Sequence, residues 1–588
     1  GLRVVDGRVS EPVESLEHLE VASGAWDVLA VTADTRRQAD YYVRQLRCRP
    51  GLKCREIVGV CTSIDAAGSR LGSGGATLHA LLTVAERLSA AAGDETCSAD
   101  RLRGKKVLIL HSGASGLNGG ALWLPVPLDA GGGPAASVDV VLSAVNGAAA
   151  TSGPGVWVCS GELLLSSATR AALASLDWTA GGRRGAVTAL AVPGSGAVAA
   201  KHGCFTRIDP EATSGAAAAV RGFEYMPRGA PAGTLVACGI FRFETEAALA
   251  FLDAHAVPPF SSCTAPGVDD GLAPAPFSLF LDVIPALLGA AAPPAALALR
   301  GVLRKRCALY AVAAGPEKGD APLFLKRPRD CLDFGSSMGS YVKEEEGSFT
   351  RKAVVLNSVL GGDGAVAERA VLVNCRFAAG SSWSVGAGCV AVGLRDADVL
   401  EALPAGVCAH RVPLLRRGAH VVVAHGVDDD VEGTRFRGAD LETDVLPRLR
   451  NVAAEDLWRP GDVRCLATAR LFAVGAPPPG WLLAAAAGEP AAAPDGWLRS
   501  DRVSLREAYD DCDVVSDGAW AAELEVRSRC DFVKRALEGR SPVGLRPTYD
   551  RLAALAAGDR AILDGVLDVL DGCARGAATD ATRLDVAA

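Results

Sequence analysis

The sequence predicts an α/β domain built around a mostly parallel sheet, followed by a parallel β-helix and a helical C-terminal module. Apolar strands alternate with helix-periodic segments through the N-terminal third, which is typical of a sheet covered by helices on both faces. Between 352 and 394, aliphatic residues and glycines recur about every six residues. This spacing predicts coils of a parallel β-helix, and an ordinary meandering β segment fits it equally well.

Shifts in composition divide the chain into four predicted segments. Proline and alanine dominate the third of these, which reads as a linker, and helical spacing returns after it. The predicted limits are 1–345 for the α/β domain, 346–475 for the β-helix and associated strands, 476–496 for the linker, and 497–588 for the helical module.

Within the α/β domain, apolar runs of strand length alternate with helices expected at 36–46 and 76–91. Ligands of such sheets bind outside the carboxyl ends of the strands, where we expect the loops 111–116 and 160–163. The predicted strands are 26–32, 106–110, 155–160 and 186–192.

The composition describes a globular protein with an ample core. The 588 residues are 49% hydrophobic and 22% charged, which is ordinary for a folded domain. The net charge of −8 gives no basic surface for a polyanion. We therefore expect no nucleic-acid partner.

The 17 cysteines contain no Cys-x-x-Cys pair, which favours reduced thiols in a cytoplasmic protein. The first residues carry charges where a signal peptide has an apolar stretch, and the chain begins without methionine, which suggests a fragment or an incomplete gene product. The uncharged stretch 283–299 is interrupted by prolines and is shorter than the about 20 residues of a bilayer span. We expect no membrane segment.

A glycine-rich stretch at 70–78 runs directly into the helix expected at 76–91. Glycines allow backbone N–H groups to close on a phosphate, and the N-terminus of a helix attracts anions. A plain turn before a helix is the alternative. The candidate nucleotide-binding residues in this stretch are Arg70, Gly72, Ser73, Gly74, Gly75 and Thr77. A second glycine-rich turn follows the strand 106–110 and adds His111 and Gly113.

In order along the chain, these segments resemble the N-terminal region of the L-fucokinase family, which is related to the bifunctional fucokinase/GDP-fucose pyrophosphorylases. Each segment is a modest match, but the ordered series is specific and covers most of the chain. The similar segments are Arg70–Leu78, Lys106–His111, Gly155–Ser160, Leu163–Leu165, His202-Gly203, Pro276–Asp282, Asp456–Trp458 and Ala467–Leu471.

The resemblance implies a GT-A/Rossmann-like α/β nucleotidyltransferase domain followed by a left-handed parallel β-helix. It also implies L-fucose salvage, in which ATP phosphorylates fucose and fucose 1-phosphate is then coupled to GTP with Mg²⁺. In this family a GHMP-type kinase domain lies further C-terminal. No second phosphate loop of that kind occurs before residue 588, so we do not expect fucokinase activity from this polypeptide alone.

Departures from the family pattern weaken the expected chemistry. Active relatives carry basic residues in the turn that begins here at His111, whereas this chain has no Lys or Arg between Lys106 and Arg170. Losing one stabilising donor costs about 3–4 kcal/mol in comparable sites. Where relatives place a Gly-Asp metal carboxylate, this chain has Gly161-Glu162. Glu162 is thus a weak Mg²⁺ candidate, and a solvated surface glutamate fits as well.

The resemblance suggests weaker substrate candidates in His202, Gly203 and Asp282. A structural loop histidine and a helix-surface aspartate are the competing interpretations. His410, His420 and His425 lie in strand-like sequence without convergent carboxylates, so we expect no metal there.

Three functional interpretations stay open. The first is an active fucose-1-phosphate guanylyltransferase. The second is a degenerate domain that binds GTP or ATP together with fucose 1-phosphate or fucose, and that regulates or scaffolds a fucokinase. The third is a purely structural β-helix module. The missing cations favour the second, and the sequence leaves the oligomeric state open, with a homo-oligomer among the alternatives.

Overall fold

The structure of the chain is a computed structural model. It divides into two compact units, described separately below: a sheet unit, Leu19–Gly113 with Val138–Phe324, and a coil unit, Gly1–His18 with Ala114–Ser137 and Leu325–Ala588. The described residues are 3–5, 8–10, 26–47, 49, 52–62, 71–113, 125–126, 135–165, 167–208, 215–258, 260, 276–289, 294–314, 323–324, 328–332, 348–349, 353–361, 363–378, 382–398 and 402–537.

The sheet unit contains one nine-stranded sheet and eight α-helices within its described residues. The strands are β1 Trp26–Ala33, β2 Cys54–Cys61, β3 Lys106–His111, β4 Gly155–Ser160, β5 Ala186–Gly194, β6 Gly203–Ile208, β7 Ala217–Tyr225, β8 Thr234–Phe243 and β9 Ala308–Ala313, and a separate short pair joins Leu163–Leu164 to Leu323–Phe324. The helices are α1 Arg36–Arg47, α2 Gly72–Ala91, α3 Ser137–Ser152, α4 Ser167–Leu173, α5 Gly196–Ala199, α6 Thr245–Leu252, α7 Ile284–Leu288 and α8 Pro294–Leu303, with single helical turns at Ala99–Leu102, Asp253–Ala256 and Leu279–Val283.

The sheet has the strand order β5-β9-β7-β6-β8-β4-β3-β1-β2. The prediction of parallel pairing is correct for β2, β1, β3 and β4. Beyond β4 it holds only for β5 and β9. The other pairs there are antiparallel, and β8 pairs with both β4 and β5, which closes five strands into a ring. The parallel strands are continuous apolar runs that are buried on both faces of the sheet, as the fully buried Leu29, Ala30 and Ile109 show.

Helix α2 packs against the parallel strands through its apolar face, which includes the fully buried Leu78 and Val84. Its core neighbours include an aromatic group in which Phe277 packs on Phe251 and Phe260, with ring centroids 6.4 and 4.7 Å apart. This packing brings the segment that contains Phe277 against the N-terminus of α2.

The coil unit contains three short parallel sheets. Their strands are β10 Val354–Leu356, β11 Val359–Leu360, β12 Asp363–Val366, β13 Val371–Val373, β14 Arg376–Phe377, β15 Ser382–Val385 and β16 Val390–Val392, followed by the longer hairpin β17 Val407–Leu414 and β18 Ala419–Gly426. Shorter strands are Arg3–Val5, Arg8–Ser10, Pro125–Val126, Ala135–Ala136, Ser348–Phe349, Arg435–Phe436, Ala439–Asp440, Phe472–Ala473 and Arg502–Val503.

Successive turns of this coil lie in register. Val354 pairs with Val371, Val371 with Val390, and Val390 with Cys408, which are steps of 17, 19 and 18 residues. Three sheets per turn give about six residues per face, the spacing visible in the sequence. Asn357 and Asn374 occupy equivalent corners with φ of 47° and 54°, a conformation that asparagine tolerates better than most residues.

The remainder of the coil unit is helical and irregular. Its helices are α9 Ala454–Leu457, α10 Gly480–Ala486, α11 Leu505–Asp510 and α12 Val514–Leu537, with single turns at Asp396–Asp398, Leu441–Val445, Leu446–Arg448 and Trp497–Arg499. The Pro/Ala tract predicted as a linker carries α10, whose Leu482 and Leu483 are buried in the core of this unit. Residues 538–588 of the predicted helical module lie outside the described residues. In the described part of the chain, no helix is both long and apolar enough to cross a membrane.

Candidate functional site

The carboxyl ends of β1, β3 and β4 form one edge of the sheet unit, called the carboxyl edge below. Thr32 pairs with His111, and His111 pairs with Ser160. The segments that leave this edge are Ser112–Gly113 and Gly161–Glu162. This is where an open α/β sheet binds its ligands, as the sequence predicted for the two loops.

The glycine-rich stretch begins helix α2 rather than forming a loop in front of it. The helix starts at Gly72, four residues before the predicted start at 76. The Phe277 carbonyl accepts hydrogen bonds from the backbone N–H groups of Gly74 and Gly75, with N···O distances of 2.9 and 3.3 Å. Two of the donors that a phosphate would need are therefore used within the chain.

The glycines also make room for the Phe277 segment. A Cβ atom on Gly74 would lie 2.4 Å from the Phe277 ring, and one on Gly72 would lie 2.4 Å from the Phe277 carbonyl oxygen. Gly72 has φ of +71°, which only glycine adopts without strain. The Ser73 hydroxyl accepts a hydrogen bond from the Leu279 N–H at 3.0 Å. Nucleotide binding by these residues stays a prediction, and Arg70 lies outside the described residues.

His111 joins the carboxyl edge to α2. Its Nε2 lies 2.8 Å from the Thr77 hydroxyl, and its Nδ1 lies 3.2 Å from the Thr32 hydroxyl. Burial lowers the pKa of His111 to about 4, so the imidazole is neutral at pH 7. It therefore supplies no positive charge to a phosphate.

Glu162 faces Gly113 across the carboxyl edge. Gly113 has φ of +82°, and a Cβ atom there would lie 2.6 Å from the Glu162 Cγ. Glu162 is 9% exposed, so the expectation of a fully solvated surface glutamate is wrong. Its backbone N–H donates to the Ser160 hydroxyl at 3.3 Å.

The chemistry of Mg²⁺ fits this arrangement. Mg²⁺ in phosphate sites is held by one or two carboxylates, with waters and substrate phosphates completing its coordination. Among the residues that the structure describes, no group of three or more His, Cys, Asp and Glu side chains could hold a metal on its own. Glu162 is a carboxylate at the carboxyl edge that could bind a phosphate-bridged Mg²⁺.

His202 and Gly203 lie at the start of β6. Strands β4 and β6 pair with successive parts of β8, since β4 pairs with residues 240–243 and β6 with 235–236. The start of β6 therefore follows the carboxyl end of β4. A Cβ atom on Gly203 would lie 2.4 Å from the Phe223 ring, which explains the glycine by packing. The His202 carbonyl accepts a hydrogen bond from the Met226 N–H at 2.9 Å.

Asp282 is buried, so the expected position on a helix surface is wrong. Its Oδ2 accepts a hydrogen bond from the Ser278 N–H at 2.7 Å. The Ser278 hydroxyl in turn accepts from the N–H groups of Phe280 and Leu281. These reciprocal bonds cap the helical turn Leu279–Val283 in the manner of a capping box. A sugar contact by Asp282 stays a prediction.

The lysines nearest in sequence lie at the opposite end of β3. The Lys106 ammonium donates to the Ala149 carbonyl at 2.9 Å, and that of Lys105 lies 3.7 Å from the Asp27 carboxylate. A six-residue strand separates its two ends by about 17 Å. Neither lysine is therefore placed to replace the cations missing after His111.

Sequence reasoning missed Thr32 and Phe277. A threonine at the end of a buried strand is only a weak sequence indication of a functional role. The carbonyl of Phe277 gives no sequence indication at all, because Phe277 is about two hundred residues away from α2 in the sequence. In the coil unit, one carboxylate that the sequence did not connect with these histidines, that of Asp398, lies 3.5 Å from the His420 Nε2. Asp398 is already paired with Arg411 at 2.8 Å.

These features define a class: an α/β protein with a candidate metal carboxylate and hydroxyl groups at the carboxyl edge of a parallel sheet. The family model for the fucose pyrophosphorylase domain matches residues 99–297 and 324–477. The chain belongs to the fucose pyrophosphorylase family, and its role is that of a sugar-phosphate nucleotidyltransferase-like protein.

Comparisons with individual proteins are weaker. A search of curated protein sequences gave no match. Similar solved structures include mannose-1-phosphate geranyltransferase from Thermus thermophilus, with 14% identity over 68% of this chain and 94% of that one, and a TM-score of 0.23. They also include UTP-bound UGPase from Acinetobacter baumannii, with 10% identity over 53% of this chain and 93% of that one, and a TM-score of 0.24. TM-scores this low establish neither a shared fold nor a shared activity.

Proposed function

We propose that this chain is the GDP-fucose pyrophosphorylase-like region of an L-fucokinase-type enzyme of L-fucose salvage. In this proposal it binds GTP or ATP and fucose 1-phosphate at the carboxyl edge, and guanylyl transfer is weak or lost. Family membership supports the substrate class. The main observation in support of this binding site is that Gly113 and Glu162 face each other just after the ends of adjacent parallel strands.

The reaction of an active pyrophosphorylase sets what the site must supply. An oxygen of the sugar 1-phosphate attacks the α-phosphorus of the nucleoside triphosphate in line, a new P–O bond forms, and the bond to the β-phosphate oxygen breaks to release pyrophosphate. Alignment and neutralisation of phosphate charge provide most of the catalysis. A bound Mg²⁺ would supply positive charge, and Glu162 is the residue that would hold it.

The described residues nearest in sequence to His111 supply little further positive charge. His111 is neutral, Lys105 and Lys106 lie at the far end of β3, and the sequence has no Lys or Arg from residue 107 to residue 169. Each missing donor in such a site costs about 3–4 kcal/mol of transition-state stabilisation. Binding with slow transfer follows from this shortage of cations.

The finer architecture belongs to the same proposal. The three parallel sheets and steps of 17 to 19 residues support a parallel β-helix, which we propose is left-handed as in the resembling family. The predicted helical module, 497–588, would lead to a GHMP-type kinase domain in the parent enzyme. We propose a cytoplasmic location for that enzyme.

The experiment that tests the proposal measures pyrophosphate release from GTP and fucose 1-phosphate with Mg²⁺. The comparison includes Glu162→Gln and, as a matched control, Glu86→Gln at an exposed position of α2. We expect release near background for all three proteins. Robust release that is lost in Glu162→Gln and kept in Glu86→Gln would contradict weak transfer and identify an active guanylyltransferase.

A further inference from the structure

Thr32, His111, Thr77 and the Ser73 carbonyl form one hydrogen-bonded chain across the carboxyl edge. The Thr77 hydroxyl donates to the Ser73 carbonyl at 2.7 Å and lies 2.8 Å from the His111 Nε2. The Thr32 hydroxyl lies 3.2 Å from the His111 Nδ1. Thr32 and Thr77 are 5% and 1% exposed, so water does not compete freely for these bonds.

The direction of each bond follows from counting protons. A threonine hydroxyl has one proton, and that of Thr77 is used on the Ser73 carbonyl. With that proton on the Ser73 carbonyl, Thr77 accepts from His111, which places the imidazole proton on Nε2. The unprotonated Nδ1 is then an acceptor, and Thr32 is the donor that satisfies it. Both ring nitrogens are occupied, so His111 is available neither as a proton carrier nor as a phosphate ligand.

His111 is also attached to the candidate binding residues through the backbone. Its carbonyl accepts a hydrogen bond from the Gly161 N–H at 2.8 Å. Two residues after His111, Gly113 faces the Glu162 side chain. The position of His111 therefore sets the spacing between the two segments that leave the carboxyl edge.

We propose that Thr32 is a positioning residue: its hydroxyl donates to the Nδ1 of the His111 tautomer that Thr77 sets, and through His111 it keeps Ser112 and Gly113 aligned with Glu162 for nucleotide binding. The part of this inference that concerns nucleotide binding rests on the proposed function. The part that concerns the His111 tautomer rests on the hydrogen bonds alone. It assigns His111 a role in alignment rather than in direct contact with the ligand.

Two substitutions distinguish the contribution of the Thr32 hydroxyl from that of the shape of its side chain. Thr32→Val keeps the branched side chain and removes the donor, whereas Thr32→Ser keeps the donor. A matched control is Thr188→Val in β5, another buried strand threonine, whose hydroxyl has no hydrogen-bond partner among the described residues. A second control is Thr83→Val in α2, whose hydroxyl donates to the His79 carbonyl and not to His111.

The first readout is the tautomer, from ¹⁵N NMR of histidine-labelled protein, with the His111 signal identified by its loss in His111→Gln. We expect a protonated Nε2 and an unprotonated Nδ1 in the wild type, in Thr32→Ser and in Thr32→Val, because Thr77 still accepts from Nε2. In Thr32→Val alone, we expect the Nδ1 resonance to shift because Nδ1 has lost its hydrogen bond. The second readout is the calorimetric affinity for GTP with Mg²⁺. We expect about tenfold weaker binding in Thr32→Val, the upper range for one hydrogen bond, with wild-type affinity in Thr32→Ser and both controls.

Several results would overturn the inference. A protonated Nδ1 in the wild type contradicts the proton count. Unchanged GTP affinity in Thr32→Val, or failure of Thr32→Ser to restore it, removes the positioning role. A wild type that binds neither GTP nor ATP overturns the proposed function and the positioning role together, while its NMR spectrum still decides the hydrogen-bonded chain.

Discussion

The carbonyl oxygen of Phe277 lies 2.9 Å from the backbone nitrogen of Gly74 and accepts its hydrogen bond. A segment distant in sequence thus occupies the N-terminus of α2, where a phosphate would otherwise be the natural ligand. The glycines of this stretch are explained by the close approach of Phe277. The proposed nucleotide site therefore lies at Gly113 and Glu162 rather than at the N-terminus of α2.

The first prediction concerns Gly74→Ala. A Cβ atom at Gly74 would lie 2.4 Å from the Phe277 ring, which is held between Phe251 and Phe260. We expect this overpacking to lower the free energy of unfolding by about 1–3 kcal/mol, measured by urea denaturation. Gly301→Ala in α8 is the control, because its Cβ would meet no atom within 4 Å. It should be neutral or stabilising by up to about 1 kcal/mol. Equal effects of the two substitutions would contradict the packing role.

The second prediction concerns Arg242, a buried arginine in β8. Its guanidinium donates to the carbonyls of Ser152 and Pro154 at 2.9 and 2.7 Å, just after the C-terminus of α3. Arg242→Met leaves these acceptors without a donor, and we expect a loss of about 2–4 kcal/mol in the free energy of unfolding. Exposed Arg44→Met should change it by less than about 0.5 kcal/mol. A loss in Arg242→Met as small as that of the control would show that water replaces the guanidinium.

The third prediction concerns Thr188. Its hydroxyl is fully buried in β5 and has no hydrogen-bond partner among the described residues. Thr188→Val removes an unsatisfied polar group at nearly constant shape, so we expect stabilisation by about 1 kcal/mol. Thermal unfolding with matched urea denaturation measures it. Destabilisation would indicate a hydrogen bond at this hydroxyl.

The fourth prediction concerns pH and Asp517 in α12. Burial, opposed by Arg395 and Arg411 and assisted by Asp513, raises the pKa of Asp517 to about 7. Since the folded-state pKa lies above the unfolded value, the carboxyl favours folding fully below about pH 4, and that stability is lost as the pH rises through about 7.

Asp517→Asn should remove this dependence. The difference in unfolding free energy, variant minus wild type, is expected to increase between pH 4 and 7 by up to about 1.4 kcal/mol per pH unit and then level off. Urea denaturation followed by tryptophan fluorescence measures it. Trp520, which lies on the same helix and donates to the Asn374 carbonyl at 2.8 Å, contributes to this signal. A difference independent of pH would contradict a buried, protonated Asp517.

Local patterns predicted the parts of the molecule that depend on nearby residues. The strands ending at Thr32 and His111 are continuous apolar runs, so their carboxyl edge was visible in the sequence. The spacing of about six residues from 352 to 394 reflects the three faces of the coil. The start of α2 was misplaced because Gly72 is stabilised by Phe277, which no local pattern connects to it.

Other errors have similar physical causes. Aspartate is a residue type typical of the surface, and the sequence placed Asp282 there. In the structure its carboxylate instead accepts a hydrogen bond from the Ser278 N–H of its own helical turn. Strand β8 pairs antiparallel with both β4 and β5. The spacing of apolar residues along a strand predicts the strand itself but not which neighbours it pairs with. The sequence did not indicate Thr32, because its proposed role depends on its hydrogen bond to His111.

The most direct test of a nucleotide site at the carboxyl edge is hydrogen–deuterium exchange of the chain with and without GTP and Mg²⁺. The account predicts slower exchange of backbone amides at 106–113 and 160–165 on adding the nucleotide, with little change at Gly74 and Gly75, whose N–H groups are already bonded to Phe277. Protection centred on 72–75, or no protection at 106–113 and 160–165 at saturating GTP, would contradict it.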